Sequence, residues 1–156
     1  MTPEQALREC QVFQRLTDDQ LQKVAALCSQ EVYEAGITIF RARSIAEQLF
    51  VLVDGKVALQ MELPVQESQL RKRVTVDVIN RNELFGWSGL VEPYVYTLSA
   101  ICLQRTEILA IDAPRLSALF RDDCPIAHEV LHGLINVVAS RLHDTMQLLV
   151  AERSLV

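Results

Sequence analysis

Positive charge is scarce in this chain: 15 Lys and Arg stand against 20 Asp and Glu, giving a formal net charge of −5 at pH 7 and a pI near 5.2. Neutralising phosphates supplies much of a protein's affinity for nucleic acid, so no direct nucleic-acid partner is expected. Glycine and proline number five each in 156 residues, far below the level of a disordered or collagen-like chain. The four cysteines, Cys10, Cys28, Cys102 and Cys124, lie far apart with no CxxC pair, which argues against a disulfide scaffold or a zinc ribbon. They read as buried, reduced thiols. No long apolar run occurs either. The richest stretch, Val130–Ala139, is broken by His132, Gly133 and Asn136 and is about half the length of a membrane span. Met1–Cys10 carries Glu4, Arg8 and Glu9 and lacks the apolar centre of a secretory signal. A cytoplasmic chain with no membrane partner is the expectation.

What is present is apolar residue in abundance, 50% of the total, arranged in three successive periodicities with no Pro-, Gly- or Ser-rich linker between them. One domain is expected over 1–156: helices in 1–30, a β-roll in 31–112, and helices in 113–156. Thr2-Pro3-Glu4-Gln5 and Thr17-Asp18-Asp19-Gln20 each pair a cap hydroxyl with a Gln three residues on, which starts a helix. After the second, Leu21, Val24, Ala25 and Cys28 mark one buried stripe of a helix ending near Gln30.

From Val32 to Asp112 the period becomes two. Strands are read at Leu49–Val53, Lys56–Leu63, Val74–Val78, Leu98–Leu103 and Glu107–Ile111, and Asp54-Gly55 suits a tight hairpin between the first two. An antiparallel sandwich or barrel follows. Asp112 and Pro114 open a short helix through Phe120, and Asp122-Asp123-Cys124-Pro125 opens the last one. In it Leu131, Ile135, Val138, Leu142, Thr145 and Leu149 step by 4, 3, 4, 3 and 4, a coiled-coil seam expected to form a homodimer interface.

Leu84-Phe85-Gly86-Trp87-Ser88-Gly89-Leu90 is a glycine-bearing bend between strand signals, able to aim backbone amides at an anion. A plain β-connection explains the same glycines. The order of pieces along the chain resembles the cyclic-nucleotide-binding domain found in the catabolite-activator and FNR group of regulators. The pieces are Phe13-x-x-Leu16 with Leu21 and Val24, Gly36 with Ile39 and Phe40, Leu49 through Val57, Leu84-Phe85-Gly86, Ile108–Asp112 and the long last helix. The likeness spans about Phe13 to Leu149 and implies a mainly β fold, an antiparallel β-roll or jelly roll with flanking helices. It also implies a non-catalytic sensory role. A small ligand, cyclic nucleotide or other, would sit at Phe85, Gly86, Trp87, Ser88, Gly89, Leu90, Tyr96 and Thr97, and a downstream protein partner would read the dimerising helix.

In the resembled family a Glu after the Phe-Gly pair holds the ribose and a later Arg pairs with the cyclic phosphate. This chain has Trp87 and Tyr96 at the matching positions. Gly36-Ile37, Arg43-Ser44 and Asn82-Glu83 depart from the family's usual pairs as well. An indole has one donor, and a phenol gives phosphate only a neutral bond. Two charge-assisted bonds at roughly 1.5–3 kcal/mol each are absent, a loss of about a hundredfold to ten-thousandfold in affinity. Ordinary cyclic AMP binding is not expected, and a scaffold that has lost its pocket stands as the alternative.

His128-Glu129-Val130-Leu131-His132 matches the HExxH pattern of zinc hydrolases. The other candidate ligands, His143 and Glu152, lie about 16 and 30 Å further along the same helix and cannot close the site within one subunit. No metal, cofactor or catalytic residue is therefore assigned. A cupin cage is disfavoured because all three histidines fall on one helix, and an iron–sulfur sensor because Cys10 stands alone near the start. Arg71-Lys72-Arg73 reads as a solvated strand edge.

Overall fold

The computed structural model describes residues 1–64 and 71–154. Helix α1 (Pro3–Glu9) and helix α2 (Asp18–Ala25) each begin with the complete capping box, from Thr2 to Gln5 and from Thr17 to Gln20. Helix α2 stops five residues short of the expected end. The chain turns at Ala26 and Leu27 and enters β1 (Cys28–Tyr33), because six residues from Cys28 to Tyr33 find antiparallel partners in β8 (Thr106–Asp112). The fourth member of the apolar stripe, Cys28, is thus a strand residue paired with Ile111, though its thiol still reaches the Val24 carbonyl.

The remaining strands are β2 (Thr38–Phe40), β3 (Gln48–Asp54), β4 (Val57–Pro64), β5 (Arg71–Ile79), β6 (Leu84–Phe85) and β7 (Ser99–Cys102). They form two antiparallel four-stranded sheets, ordered β1-β8-β3-β6 and β2-β7-β4-β5. Asp54-Gly55 does not make the expected hairpin: β3 and β4 fall in different sheets, so this turn carries the chain from one sheet to the other. Gly55 sits at φ 109°, and a Cβ there would lie 2.6 Å from Thr106 Oγ1 and 2.7 Å from the Arg105 carbonyl oxygen. The turn needs glycine because it stacks on the β7–β8 turn.

Two apolar layers result. Leu49 and Val51 of β3, with Leu109 and Ile111 of β8, face the helices, where Leu7, Phe13, Leu16, Val24, Leu116, Ile126 and Val130 cover them. Phe50, Leu52, Ile108 and Ala110 face inward to Val57, Leu59, Ile79, Phe85 and Tyr96. Burial on both faces explains why Leu49–Val53 reads as an unbroken apolar run. β5 is the outer strand of its sheet, and its register jumps between Asp77 and Thr75, leaving Val76 as an extra residue. Val76 and Val78 are accordingly exposed. Arg73 of the basic run reaches Glu62 at 3.7 Å across this edge.

Helix α3 (Ala113–Asp122) is capped by Asp112, whose carboxylate accepts from the Arg115 amide at 2.9 Å. Helix α4 (Cys124–Ser154) has 31 residues, roughly 46 Å at 1.5 Å each, and is capped by Asp123. Ile126, Val130, Gly133 and Leu134 bury against the roll, whereas Leu131, Ile135, Val138, Leu142, Thr145 and Leu149 are exposed. The thiols divide. Cys10 and Cys102 are buried and Cys28 is half-buried, but Cys124, as first residue of α4, is exposed and so departs from the expectation for all four. Burial pushes the Cys10 thiol up to about 11 and that of Cys28 up to about 12. No helix among the described residues is long and apolar enough to cross a membrane.

Candidate functional site: an aromatic-filled cleft

The Phe-Gly segment is anchored by β6, where Phe85 pairs with Phe50 and Leu84 with Val51 of β3. Gly86 then reverses the chain at φ 75° into a 3₁₀ turn (Trp87–Leu90) that no side chain caps. Each glycine of the bend has a packing reason. A Cβ on Gly86 would crowd the rings of Phe50 and Phe40 at 3.1–3.4 Å, and one on Gly89 would lie 2.7 Å from the Ala113 Cβ at the start of α3.

The facing wall is the segment before β7. It is held by an exchange of backbone bonds that sequence reasoning missed. The Arg43 amide donates to Tyr96 O at 2.7 Å, the Tyr96 amide to Ser44 O at 3.0 Å, and the Ala46 amide to Tyr94 O at 2.8 Å. This zipper aims the Tyr96 side chain inward. Its ring stacks on Phe40 with centroids 3.8 Å apart and planes at 15°, and Phe40, Phe50 and Phe85 continue the cluster at 5.3–6.2 Å. The phenol donates to the Gln48 carbonyl, so its polar end is satisfied inside the protein. Tyr96 is 5% exposed, and burial pushes its phenol up to about 12.

What space is left is small. Phe40, Leu59, Gly86, Trp87, Ser88, Tyr96, Thr97 and Leu98 line an inner cavity of about 70 Å³. Ligand sites for small molecules run to roughly 300–1,000 Å³. Outside Tyr96 and Thr97 a wider, open cavity of about 410 Å³ is lined by Ala42, Arg43, Met61, Glu62, Pro93 and Val95. Five of the eight expected ligand residues, Gly86, Trp87, Ser88, Tyr96 and Thr97, therefore meet at one cavity. Three do not line it. Phe85 is fully buried in the inner layer, Gly89 is wedged against Ala113 and Ala46, and Leu90 packs toward the helices. Phe40, Leu59 and Leu98 take their place.

The cleft also touches α4. The Arg141 guanidinium carbon stands 4.8 Å from the centre of the Trp87 ring, and its Nη2 donates to the Leu84 carbonyl at 2.9 Å. Arg141 is a second residue that sequence reasoning missed. The signal was there, since Val130, Leu134, Val137 and Arg141 step by 4, 3 and 4 along the face turned to the roll. The HExxH histidines have ring centres 6.1 Å apart on α4, and among the described residues no third His, Cys, Asp or Glu joins them as a metal-binding group.

Comparison with known proteins gives a consistent picture. The family model of the cyclic nucleotide-binding domain matches residues 30–123. A solved protein from Geobacter metallireducens GS-15, described as a cyclic nucleotide-binding protein, is 28% identical, with a TM-score of 0.77 over 92% of this chain and 99% of its own. The cyclic AMP receptor protein of Thermus thermophilus is 27% identical over 134 residues, 85% of this chain and 57% of that protein. The cGMP-dependent protein kinase egl-4 of Caenorhabditis elegans is 28% identical over 119 residues, which is 74% of this chain and 14% of the kinase. The chain thus spans about one seventh of that kinase.

Proposed function

The chain belongs to the cyclic nucleotide-binding domain family, and from that premise we infer that it is a non-catalytic regulatory module whose nucleotide cleft is closed by its own side chains and whose output is a pair of α4 helices. The Tyr96 ring stacked on Phe40 inside the cleft is the observation that carries this reading. It leaves about 70 Å³ between Trp87 and Tyr96, beside the open cavity of about 410 Å³ that shares Tyr96 and Thr97. Trp87 and Tyr96 supply no carboxylate for a ribose and no cation for a phosphate. The exposed seam from Leu131 to Leu149 supports isologous pairing with a second copy, because a stripe of large apolar side chains on a free helix needs a partner. A cytoplasmic setting and a downstream protein that reads the helix pair belong to the same proposal.

Thermal-shift measurement with cyclic AMP, cyclic GMP and other nucleotides tests it. A ligand at a hundred times its dissociation constant adds about 2.7 kcal/mol to stability, so a binder shifts the midpoint by several degrees. The closed cleft predicts no shift from any cyclic nucleotide. A second reading, a small effector of another kind, is supported by the mostly apolar outer cavity of about 410 Å³ flanking Tyr96 and Thr97. In that case an apolar ligand, and no cyclic nucleotide, stabilises the protein.

A further inference from the structure

We propose that the cavity between α4, the segment after α1 and the entry to β6 is a binding site for a small free α-amino acid, whose carboxylate sits on Arg141 Nη1 and whose ammonium meets Asp144. The cavity shares no lining residue with the aromatic cleft, so the inference stands apart from the reading of that cleft.

Three parts of the chain supply the walls. Val137, Ser140, Arg141 and Asp144 fall at i, i+3, i+4 and i+7 and therefore share one face of α4. Opposite them lie residues 10–12, which follow α1, and residues 82–84, which lead into β6. The space between is about 160 Å³, room for about five waters at roughly 30 Å³ each. That is the size of glycine, alanine or serine and far below that of a nucleotide. Val12, Leu84 and Val137 provide an apolar wall for a short side chain.

Two charged groups lining the cavity lack the opposite charge. Arg141 Nη2 donates to the Leu84 carbonyl at 2.9 Å and stands 3.4 Å from Glu83 Oε2, but Nη1 is buried and among the described residues has no hydrogen-bond partner. A buried donor without an acceptor costs stability, and a carboxylate placed on Nη1 removes that cost through a charge-assisted bond. Asp144, three residues on, is exposed and among the described residues joins no ion pair. The unused donor is thus deep and the unused carboxylate is at the mouth. A zwitterion satisfies both. A bare anion is disfavoured, because the lining holds the Arg141 cation against two carboxylates, Glu83 and Asp144. Burial pushes the Cys10 thiol up to about 11, so it adds no charge at neutral pH. An amine without a carboxylate would leave Nη1 unpartnered.

Isothermal titration of the full chain with glycine, L-alanine and L-serine tests the site. At least one should saturate at one ligand per chain, with a dissociation constant between micromolar and low millimolar. Propionate and propylamine, which carry one charged group each, should bind about tenfold more weakly or less, and inorganic phosphate should give no saturable heat. Asp144→Asn and Arg141→Lys, the second of which keeps the charge and removes the Nη1 donor, should each weaken the amino acid by roughly 10- to 100-fold. Because Asp144 joins no ion pair among the described residues, Asp144→Asn should keep the wild-type circular dichroism and so separates lost binding from lost fold. Absence of saturable heat from all three amino acids overturns the proposal. Propionate binding as tightly as alanine overturns it too, as does saturable phosphate binding or a wild-type affinity in Asp144→Asn.

Discussion

Tyr96 concentrates the chemistry that sets this cleft apart. Its ring fills space beside Phe40 and its hydroxyl turns back to the Gln48 carbonyl. Tyr96→Phe keeps the stack and loses the hydrogen bond, so it should cost about 1 kcal/mol in urea unfolding. The same variant has a signature at high pH. Burial raises Tyr96 from 10.0 to about 12, Cys10 from 9.0 to about 11 and Cys28 from 9.0 to about 12. Each group holds its proton more tightly folded than unfolded, so its contribution is complete below the unfolded value and disappears as pH rises through the folded one. Stability should begin to fall near pH 9 and continue falling to about pH 12. Tyr96→Phe should make the fall between 10 and 12 shallower and leave the parts from Tyr33 and the cysteines in place. Unfolding free energies across that range check both statements.

Elements show where local sequence rules govern and where pairing overrides them. The caps of α1 and α2, the span of α4 and the strands centred on Val51, Leu59 and Leu109 were legible, because each rests on a local signal: a hydroxyl with a Gln three residues on, or a repeat of apolar positions. The end of α2 was not. Cys28 fits the helical stripe equally well, and only the distant partner Ile111 decides for the strand. The same holds for the Asp54-Gly55 turn, whose glycine is evident but whose crossing between sheets depends on strands far away in sequence. Of the candidate site, the cleft turn was legible and so was the place of Arg141 on the roll-facing stripe of α4, while the Arg43–Ala46 zipper and the partners of Arg141 were not, since they arise from contacts 48 residues or more apart in sequence. Gly133, read as a break in an apolar run, proves to be a contact. A Cβ there would lie 2.9 Å from the Val12 carbonyl oxygen. Alanine in place of glycine usually stabilises a helix by about 1 kcal/mol. Gly133→Ala should instead destabilise, lowering the thermal midpoint, because α4 must retreat from the Cys10–Leu16 segment.

At the scale of the whole molecule, the far end of α4 is an uncovered apolar face. Helix α4 continues past the roll with Leu142, Met146, Leu148, Leu149 and Val150 exposed, a run that water alone covers poorly. Two copies meeting along the seam would cover Leu131, Ile135, Val138, Leu142, Thr145 and Leu149. Ile135→Glu combined with Leu142→Glu places like charges in the middle of that seam. The account predicts a dimer for the wild type and a single chain for the double variant in sedimentation, with an unchanged β-sheet signal in circular dichroism. Neither Ile135 nor Leu142 lines the cavity beside Trp87, so the double variant should leave Trp87 emission at its wild-type value.

The closed cleft remains the claim on which the functional reading depends, and isothermal titration of the wild-type protein with cyclic AMP and cyclic GMP tests it most directly. With the Tyr96 ring on Phe40 and about 70 Å³ of free space, the account predicts no saturable heat at ligand concentrations up to about millimolar, weaker than roughly 4 kcal/mol of binding free energy. One-to-one saturation with a micromolar dissociation constant for either nucleotide would contradict it.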